Sequence, residues 1–288
     1  MSQREKKKIL ITGASGMLGK ALVNKLTEYT LIPTDLPNLD ISKPNSTQLI
    51  INKSPDYVLH LAAYTDVDGC EKNANLAQKT NAEGTKNVAL ACKKLNIPLL
   101  YISTDYVFDG QKQTPYNEWD KTNPISVYGK TKEDGEKSVK ALLKKYWIVR
   151  TSGLYGKEGK NFVDTIIIKA KELKFLKVVN DQFGSPTYVE HLSTAIKELI
   201  KTEEYGIYHV TNSDYCTWYE FAKSIINIAN IQCEIQPISS DELTRPAKRP
   251  KNWRLANFFL ENTIKKTLPA WHSAVEEYIK SNKKQNCR

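Results

Sequence analysis

The sequence lacks the features that mark several classes of protein. None of its apolar runs approaches the roughly 20 residues that span a bilayer. Its five cysteines are scattered and form no Cys-x-x-Cys pair, which favours thiols in a reducing cytosol over a disulfide framework. Its four histidines are isolated, so no metal-ligand cluster is expected. The basic start is followed by Ile9–Gly19, a stretch that glycines interrupt and that lacks the small-residue cleavage pattern of a signal peptide. Both features argue against a signal peptide. We therefore expect a cytoplasmic protein with no metal site and no membrane contact.

The charge is strongly basic, with a formal net value of +10 over 288 residues. The lysines lie throughout the chain, which is typical of a solvated surface. The alternative is that a positive cleft steers a polyanionic small molecule, such as a sugar nucleotide, toward its site. No basic stripe with interleaved aromatic residues is present, so nucleic acid is not the expected partner.

Short apolar runs alternate with helical periods through the first half of the chain. The predicted strands are Ile9–Thr12, Leu31–Asp35, Tyr57–Ala62, Leu99–Thr104 and Trp147–Thr151. The predicted helices are Met17–Tyr29, Ser46–Asn52, Asn75–Leu95 and Ser126–Lys144. Strand–helix alternation with continuously apolar strands predicts an α/β fold in which helices cover both faces of a doubly wound parallel sheet.

The pattern loosens after Thr151. We predict that residues 1–152 form a nucleotide-cofactor-binding domain and residues 153–288 a smaller substrate-binding lobe, with one or two elements returning to the sheet. The predicted elements of the lobe are the helix Asn161–Leu173, the strand Lys177–Asn180, the helix Glu190–Lys201, the strand Ile207–Thr211, the helix Thr217–Asn230, an irregular stretch Gln236–Trp253 and two final helices.

A glycine-rich loop, Thr12–Gly19, lies between the first strand and the first helix. Gly13 allows a tight turn, Gly16 lets a phosphate approach the backbone, and Gly19 lets the helix pack closely on the strand. Free N–H groups at the helix start suit a pyrophosphate. The loop therefore predicts a dinucleotide cofactor.

Asp35 ends the second strand about 20 residues beyond this loop, where an acid can bond the adenosine ribose. A carboxylate there favours NADH, because it repels a 2′-phosphate. The alternative is a turn aspartate, since Pro33 and Pro37 flank it.

Tyr128 and Lys132 share a helix face because they are four residues apart. A nearby ammonium is expected to lower the tyrosine pKa from about 10 by roughly 1–3 units, toward that of a working general acid. Thr104 ends the predicted strand Leu99–Thr104, and Asp105 follows it. Both therefore lie at the sheet edge where ligands bind in such folds. The alternatives are a surface Tyr–Lys pair and a threonine that caps a turn.

With these motifs the chain resembles the extended short-chain dehydrogenase/reductases, and within them the dTDP-4-dehydrorhamnose reductase family. The matching runs extend from Lys8 to about Ile279 and include TGASGMLG (Thr12–Gly19), HLAAYTDVD (His60–Asp68), YISTDYVFDG (Tyr101–Gly110), YGKTKEDGE (Tyr128–Glu136), RTSGLYG (Arg150–Gly156) and DQFGSPTY (Asp181–Tyr188). The resemblance implies a Rossmann domain and an NADPH- or NADH-dependent oxidoreductase. It also implies reduction of the C4 ketone of a nucleotide-diphospho-4-dehydro-6-deoxy sugar, giving dTDP-L-rhamnose for surface polysaccharide. A homodimer is possible.

The resemblance also implies residue roles. The catalytic set is Thr104, Tyr128 and Lys132. The cofactor-binding residues, with Asp35 added from its position, are Gly13, Ser15, Gly16, Met17, Leu18, Asp40, Ile41, Ala62, Ala63, Tyr64, Tyr128 and Lys132. The substrate-binding residues are Val67, Thr104, Asp105, Tyr106, Gln182 and Arg249, with Arg249 on the diphosphate.

The chain departs from this family at Gly153, where typical members carry a tryptophan that packs on the sugar. We hypothesise that Trp253 supplies part of the missing aromatic wall, which adds Gly153 and Trp253 to the substrate site. Two alternatives stay open: a reductase of a related 4-keto sugar nucleotide, and a non-catalytic subunit like the regulatory subunit of methionine adenosyltransferase, which has a similar Tyr-Gly-Lys-Thr-Lys run.

Overall fold

The computed structural model describes residues 6–286, with side chains to residue 282. Arg4 of the basic start and Cys287 lie outside the described residues. The strands are β1 (Lys8–Thr12), β2 (Thr30–Thr34), β3 (Tyr57–His60), β4 (Leu99–Thr104), β5 (Tyr146–Thr151), β6 (Leu154–Tyr155), β7 (Phe175–Val179), β8 (Phe183–Gly184), β9 (Thr187–Tyr188), β10 (Gly206–His209), β11 (Cys216–Thr217), β12 (Glu234–Ile238) and β13 (Asn252–Trp253).

Helices connect these strands. The α-helices are α1 (Met17–Lys25), α2 (Ser46–Asn52), α3 (Val67–Lys72), α4 (Ala74–Ala77), α5 (Thr85–Leu95), α6 (Val127–Leu142), α7 (Phe162–Glu172), α8 (Val189–Leu199), α9 (Trp218–Ala229), α10 (Phe258–Ile264) and α11 (Trp271–Asn286). A π-helical segment, Gln78–Gly84, joins α4 to α5, and Asp105–Val107 and Ser240–Glu242 are short 3-10 turns.

The main sheet has six parallel strands in the order β10-β5-β4-β3-β1-β2. Ile9 and Ile11 belong to one apolar core, which includes residues of α1, α7 and α8. Leu10 belongs to the other, with residues of α2, α5 and α6. Because neighbouring strand residues point to opposite faces, the two cores lie on opposite faces of the sheet. The predicted doubly wound α/β fold is confirmed.

The strand order reverses between β1 and β3, so a crevice opens there at the carboxyl ends of the strands. The glycine loop after β1 and the segments that follow β3 and β4 all lie at this edge. The topology therefore positions the predicted cofactor and catalytic residues together.

Several parts of the sequence prediction were wrong, and the short strands β6, β8, β9 and β11 were not predicted. The predicted helix Asn75–Leu95 is interrupted by the π-helical segment, and α3 was missed. The stretch predicted as irregular contains β12, which pairs in parallel with β7, and β13, which pairs with β8. Long-range pairing overrode the weak local pattern at β12 and β13.

The division of the chain at residue 152 stays a prediction. From the second half, β10 pairs with β5 at the edge of the main sheet. Within residues 6–286, no helix combines the length and apolar character that a membrane span requires.

Candidate active site

The glycine loop forms a backbone cradle at the start of α1. Gly13 has φ +68°, and a Cβ on it would lie 2.7 Å from the backbone nitrogen of Ala62. A Cβ on Gly19 would overlap the backbone of Gly13 and Ala14. Gly16 is the N-cap of α1 and makes no side-chain cap, which leaves N–H groups of the first turn for an anion. The cradle therefore fits the pyrophosphate of a dinucleotide. Ser15, Met17 and Leu18 belong to this loop and the first turn of α1, and their contacts with a cofactor stay predictions.

Asp35 lies beside this cradle, just after β2. Its carboxylate accepts hydrogen bonds from the Ser15 backbone (3.0 Å), the Ser15 hydroxyl and the Leu36 backbone (2.9 Å). Partial desolvation raises the pKa of Asp35, but these hydrogen bonds outweigh it and the pKa lies below its usual value. Asp35 lines a cavity of about 470 Å³ together with Lys20 and Glu158. The contact between Asp35 and a ribose stays a prediction.

Asp40 and Ile41 lie in the loop between β2 and α2. The Asp40 carboxylate accepts from the backbone and hydroxyl of Ser42 (3.0 and 2.6 Å). Ile41 is buried, and its side chain packs against Gly84. Both side chains therefore have partners within the protein, and their predicted place along an adenine is untested.

The segment after β3 is held by Asn81, a residue that the sequence analysis missed. Asn81 is buried in the π-helical segment. Its amide pairs with the backbone of Tyr64 (2.8 and 3.1 Å) and donates to the Thr131 hydroxyl on α6 (3.1 Å). It thus connects the predicted cofactor wall, Ala62–Tyr64, to the helix that carries Tyr128. The available signal was a polar residue in the middle of a predicted helix.

Lys132 is buried on α6, and its ammonium contacts β4. It donates to the Ile102 carbonyl (2.7 Å) and lies 4.1 Å from the centre of the Tyr101 ring. Burial lowers the pKa of Lys132 to about 7, and the charge of Glu136 opposes this shift. Lys132 therefore titrates close to neutral pH.

Tyr128 is half-buried on the same helix, beside Thr104. Its ring meets the Tyr106 ring edge-on, with centroids 5.4 Å apart. Burial and then the charge of Asp105 raise the pKa of Tyr128, and a hydrogen bond with Thr104 opposes them. The predicted lowering of this pKa was wrong, because desolvation dominates. Tyr128 is consequently a protonated phenol, the form that a general acid needs.

Thr104 ends β4 with a buried hydroxyl that donates to Asp105 (3.0 Å) and accepts from the Tyr106 backbone (3.2 Å). Burial raises the pKa of Asp105 to about 7. The structure thus brings Thr104, Asp105, Tyr106, Tyr128 and Lys132 together. Their roles remain predictions.

Arg249 lies in the loop between β12 and β13, and its guanidinium is paired. Its two terminal nitrogens donate to the two oxygens of Asp68 (3.1 and 3.0 Å), and this contact lowers the pKa of Asp68. Val67, beside Asp68, begins α3. The predicted role of Arg249 on a diphosphate requires it to share or exchange this partner.

A cavity of about 500 Å³ adjoins Arg249 and the buried side chain of Gln182. Its lining also contains Arg245, Lys248 and Lys251, which the sequence analysis missed. Lys251 pairs with Asp181 (3.3 Å). This cluster of cations suits a polyanion, and only the fold of the loop after β12 brings it together.

Gly153 and Trp253 are neighbours in the structure. Gly153 has φ +52°, and a Cβ on it would lie 3.1 Å from the Trp253 ring. A Cβ on Gly184 would overlap the same ring, which stacks on Trp218 with centroids 4.8 Å apart. Trp253 is 4% exposed. The indole thus fills the space at Gly153, and its contact with a sugar stays a prediction.

A glycine cradle at the point where the strand order reverses, with threonine, tyrosine and lysine beyond β4, defines an extended short-chain dehydrogenase/reductase. Within this class, the chain belongs to the RmlD substrate binding domain family, whose sequence profile matches residues 7–284.

Similar proteins bear names from sugar-nucleotide metabolism. The spore coat polysaccharide biosynthesis protein SpsK of Bacillus subtilis (strain 168) is 36% identical over 94% of this chain and 96% of the relative. The crystal structure of a dTDP-4-dehydrorhamnose reductase from Clostridium acetobutylicum ATCC 824 is 43% identical, with a TM-score of 0.93 over 96% of this chain and 99% of that one. The enzyme of that name from Bacillus anthracis str. Ames, solved in complex with NADP, has the same identity, TM-score and two coverages.

Proposed function

We propose that this protein catalyses the NADPH- or NADH-dependent reduction of the C4 ketone of dTDP-4-dehydro-L-rhamnose, giving dTDP-L-rhamnose for surface polysaccharide. The proposal depends on one observation: Thr104, Tyr128 and Lys132 lie close together at the sheet edge that also holds the glycine cradle. The names of the similar enzymes support the choice of substrate.

The reaction adds a hydride to the C4 carbon and a proton to its oxygen. When bound, the reduced nicotinamide cofactor supplies the hydride. Tyr128, protonated in the resting site, donates its phenolic proton to the oxygen. Thr104 holds the same oxygen through its hydroxyl, and the Lys132 ammonium stabilises the phenolate that the proton leaves behind. The ketone thereby becomes an alcohol.

The substrate diphosphate is assigned to the cationic cavity. Arg249 offers a planar fork that matches phosphate oxygens, and Arg245 and Lys248 add positive charge. Asp68 holds the Arg249 fork in place before substrate arrives. Val67, Asp105, Tyr106 and Gln182 are assigned to the sugar nucleotide.

A second candidate is the reduction of a related 4-keto sugar nucleotide. Gly153 favours it, because the family's tryptophan is absent there. A relative from Streptomyces antibioticus, named a probable dTDP-4,6-dihydroxy-2-methyloxan-3-one 4-ketoreductase, is 35% identical over 93% of this chain. A cytoplasmic location and a homodimer are further predictions from the sequence.

The test is to follow NADH or NADPH absorbance while supplying a panel of 4-keto-6-deoxy sugar nucleotides. We expect the highest kcat/KM with dTDP-4-dehydro-L-rhamnose. A higher kcat/KM with another 4-keto hexose would favour the second candidate. No turnover with any of them, while NADH still binds, would contradict both and favour a non-catalytic subunit.

A further inference from the structure

A buried ion pair lies behind the catalytic residues and has no part in the mechanism above. Glu136 on α6 and Arg150 on β5 are 0% and 2% exposed. The guanidinium of Arg150 donates to both oxygens of the Glu136 carboxylate (2.8 and 2.7 Å). The hydroxyl of Ser103 donates to the same carboxylate (2.6 Å). The pair is therefore fully bonded and shielded from water.

Such a pair is weak evidence of stabilisation. Removing two charges from water is costly, and apolar residues of similar volume often serve a core equally well. The position of Glu136 suggests a different role. It lies four residues after Lys132 on the same helix face, and its partner Ser103 immediately precedes Thr104. Ser103 and Arg150 are also paired in register between β4 and β5. One carboxylate thus connects the helix of Tyr128 and Lys132 to the strand that ends at Thr104.

The surroundings of Lys132 make the charge of Glu136 important. Several charged and titratable groups surround the Tyr128–Lys132 pair. They are Glu136 on α6, Tyr101 on β4, Asp105 and Tyr106 after β4, His60 on β3, Cys70 on α3 and, through Glu136, Arg150 on β5. Burial lowers the pKa of His60 to about 3 and raises that of Cys70 to about 11, so both are neutral. Glu136 is the carboxylate whose charge opposes the desolvation of Lys132.

Arg150 also has contacts on the side away from Glu136. Its guanidinium also contacts the His209 ring on β10 and the Glu118 carbonyl, each at 3.4 Å. Burial lowers the pKa of His209 well below its usual value, so this histidine adds no charge. The guanidinium is therefore fixed on both sides, and Glu136 cannot move without breaking these contacts.

We propose that Glu136 is a positioning residue for the reduction proposed above: fixed by Ser103 and Arg150, it holds α6 against β4 and β5 and supplies the buried negative charge that faces Lys132. Only the role of Glu136 in turnover rests on the proposed function. Its effect on Lys132 exists without substrate. Loss of the negative charge disfavours the ammonium, so Lys132 loses its proton at a lower pH and stabilises the Tyr128 phenolate less well.

The first test measures Lys132 directly. The 13Cε resonance of Lys132, assigned by its loss in Lys132→Met, is titrated in the wild type and in Glu136→Gln, which keeps the size of the side chain and an acceptor for Ser103. We expect a wild-type midpoint near pH 7 and a midpoint lower by about 1–3 units in the variant. The matched control is Asp134→Asn, which removes a carboxylate from the exposed side of the same helix. It should leave the midpoint unchanged.

Glu136→Gln leaves the Arg150 guanidinium buried without its anion, and the variant can fail to fold. In that case Glu136→Gln with Arg150→Gln keeps polar contacts and removes both charges. We expect a shift in the same direction, because Glu136 is the charge that faces Lys132. A folded variant whose Lys132 midpoint equals that of the wild type overturns the proposal.

The second test uses turnover of dTDP-4-dehydro-L-rhamnose across pH. We expect the alkaline fall of kcat/KM to begin at lower pH in the variant, by a shift similar to that of the Lys132 titration. A merely structural role would instead lower kcat/KM equally at every pH, and that result overturns the proposal. Absence of turnover in the wild type would refute the proposed function and would leave the Lys132 titration as a separate result.

Discussion

Asp35 is expected to make this protein prefer NADH. The perturbation is Asp35→Asn, which removes one negative charge and keeps an oxygen that can accept from Ser15. Alanine is less informative there, because it would also release the glycine loop. Glu158 adds a second carboxylate to the cavity beside Asp35. Lys20 also lines this cavity, but it is already bonded to Glu158 (2.6 Å). Among the residues that the structure describes, Lys20 is the one cation that lines this cavity, and its pairing with Glu158 opposes the neutralisation of a 2′-phosphate.

The size of the effect follows from Coulomb's law. A phosphate of charge about −1.5 at roughly 6 Å from a carboxylate is repelled by about 1 kcal/mol at the dielectric constant of water, and by about 4 kcal/mol at an effective constant of 20. Asp35 is only partly buried and its cavity is open, so the lower half of this range applies. A repulsion of about 1–2 kcal/mol corresponds to a factor of roughly 5–30.

The assay is the ratio of kcat/KM for NADPH to kcat/KM for NADH. We expect Asp35→Asn to raise this ratio by about 5–30-fold. The matched control is Asp56→Asn, because Asp56 accepts from the Lys8 backbone at the opposite, amino end of the strands (2.7 Å). It should leave the ratio unchanged. An unchanged ratio in Asp35→Asn itself would refute the reasoning and make Asp35 a turn residue only.

Three further changes test the proposed site. Tyr128→Phe should keep the fold and NADH binding but lower kcat by about 10²–10⁴, the usual contribution of general acid catalysis; near wild-type turnover would remove Tyr128 from the mechanism. Arg249→Ala should raise KM for the sugar nucleotide by about 10–150-fold and change kcat far less, because it removes a charge-assisted contact worth about 1.5–3 kcal/mol; a lower kcat at constant KM would contradict this role. Trp253→Ala should lower the free energy of unfolding in urea by about 3–5 kcal/mol, since the indole is buried. If Trp253 also forms the sugar wall, KM rises in that variant. An unchanged KM would mean that Trp253 is a core residue only.

Local features of the fold could be predicted from the sequence. The strand Leu99–Thr104 and the helix Ser46–Asn52 match their predicted bounds. Both depend on patterns within a few residues, a continuous apolar run in the strand and a helical period in the helix. The glycine cradle and the shared face of Tyr128 and Lys132 were readable for the same reason, because the geometry of one loop or one helix turn determines them.

Contacts between distant residues could not be predicted in this way. Asp68 and Arg249 are 181 positions apart, and their pairing depends on where the loop after β12 folds back. The direction of the Tyr128 pKa shift was wrong because desolvation depends on everything packed around the ring.

By itself, then, the sequence determined the strand–helix alternation of the first half, the glycine cradle and the Tyr128–Lys132 spacing, since each of these is set by neighbouring residues. Only the tertiary structure decided that Trp253 fills the space at Gly153, that Asp68 holds Arg249, and that Ser103 and Arg150 fix Glu136 behind Lys132. The physical reason is that burial, charge pairing and close packing depend on distances in space, which sequence separation does not encode.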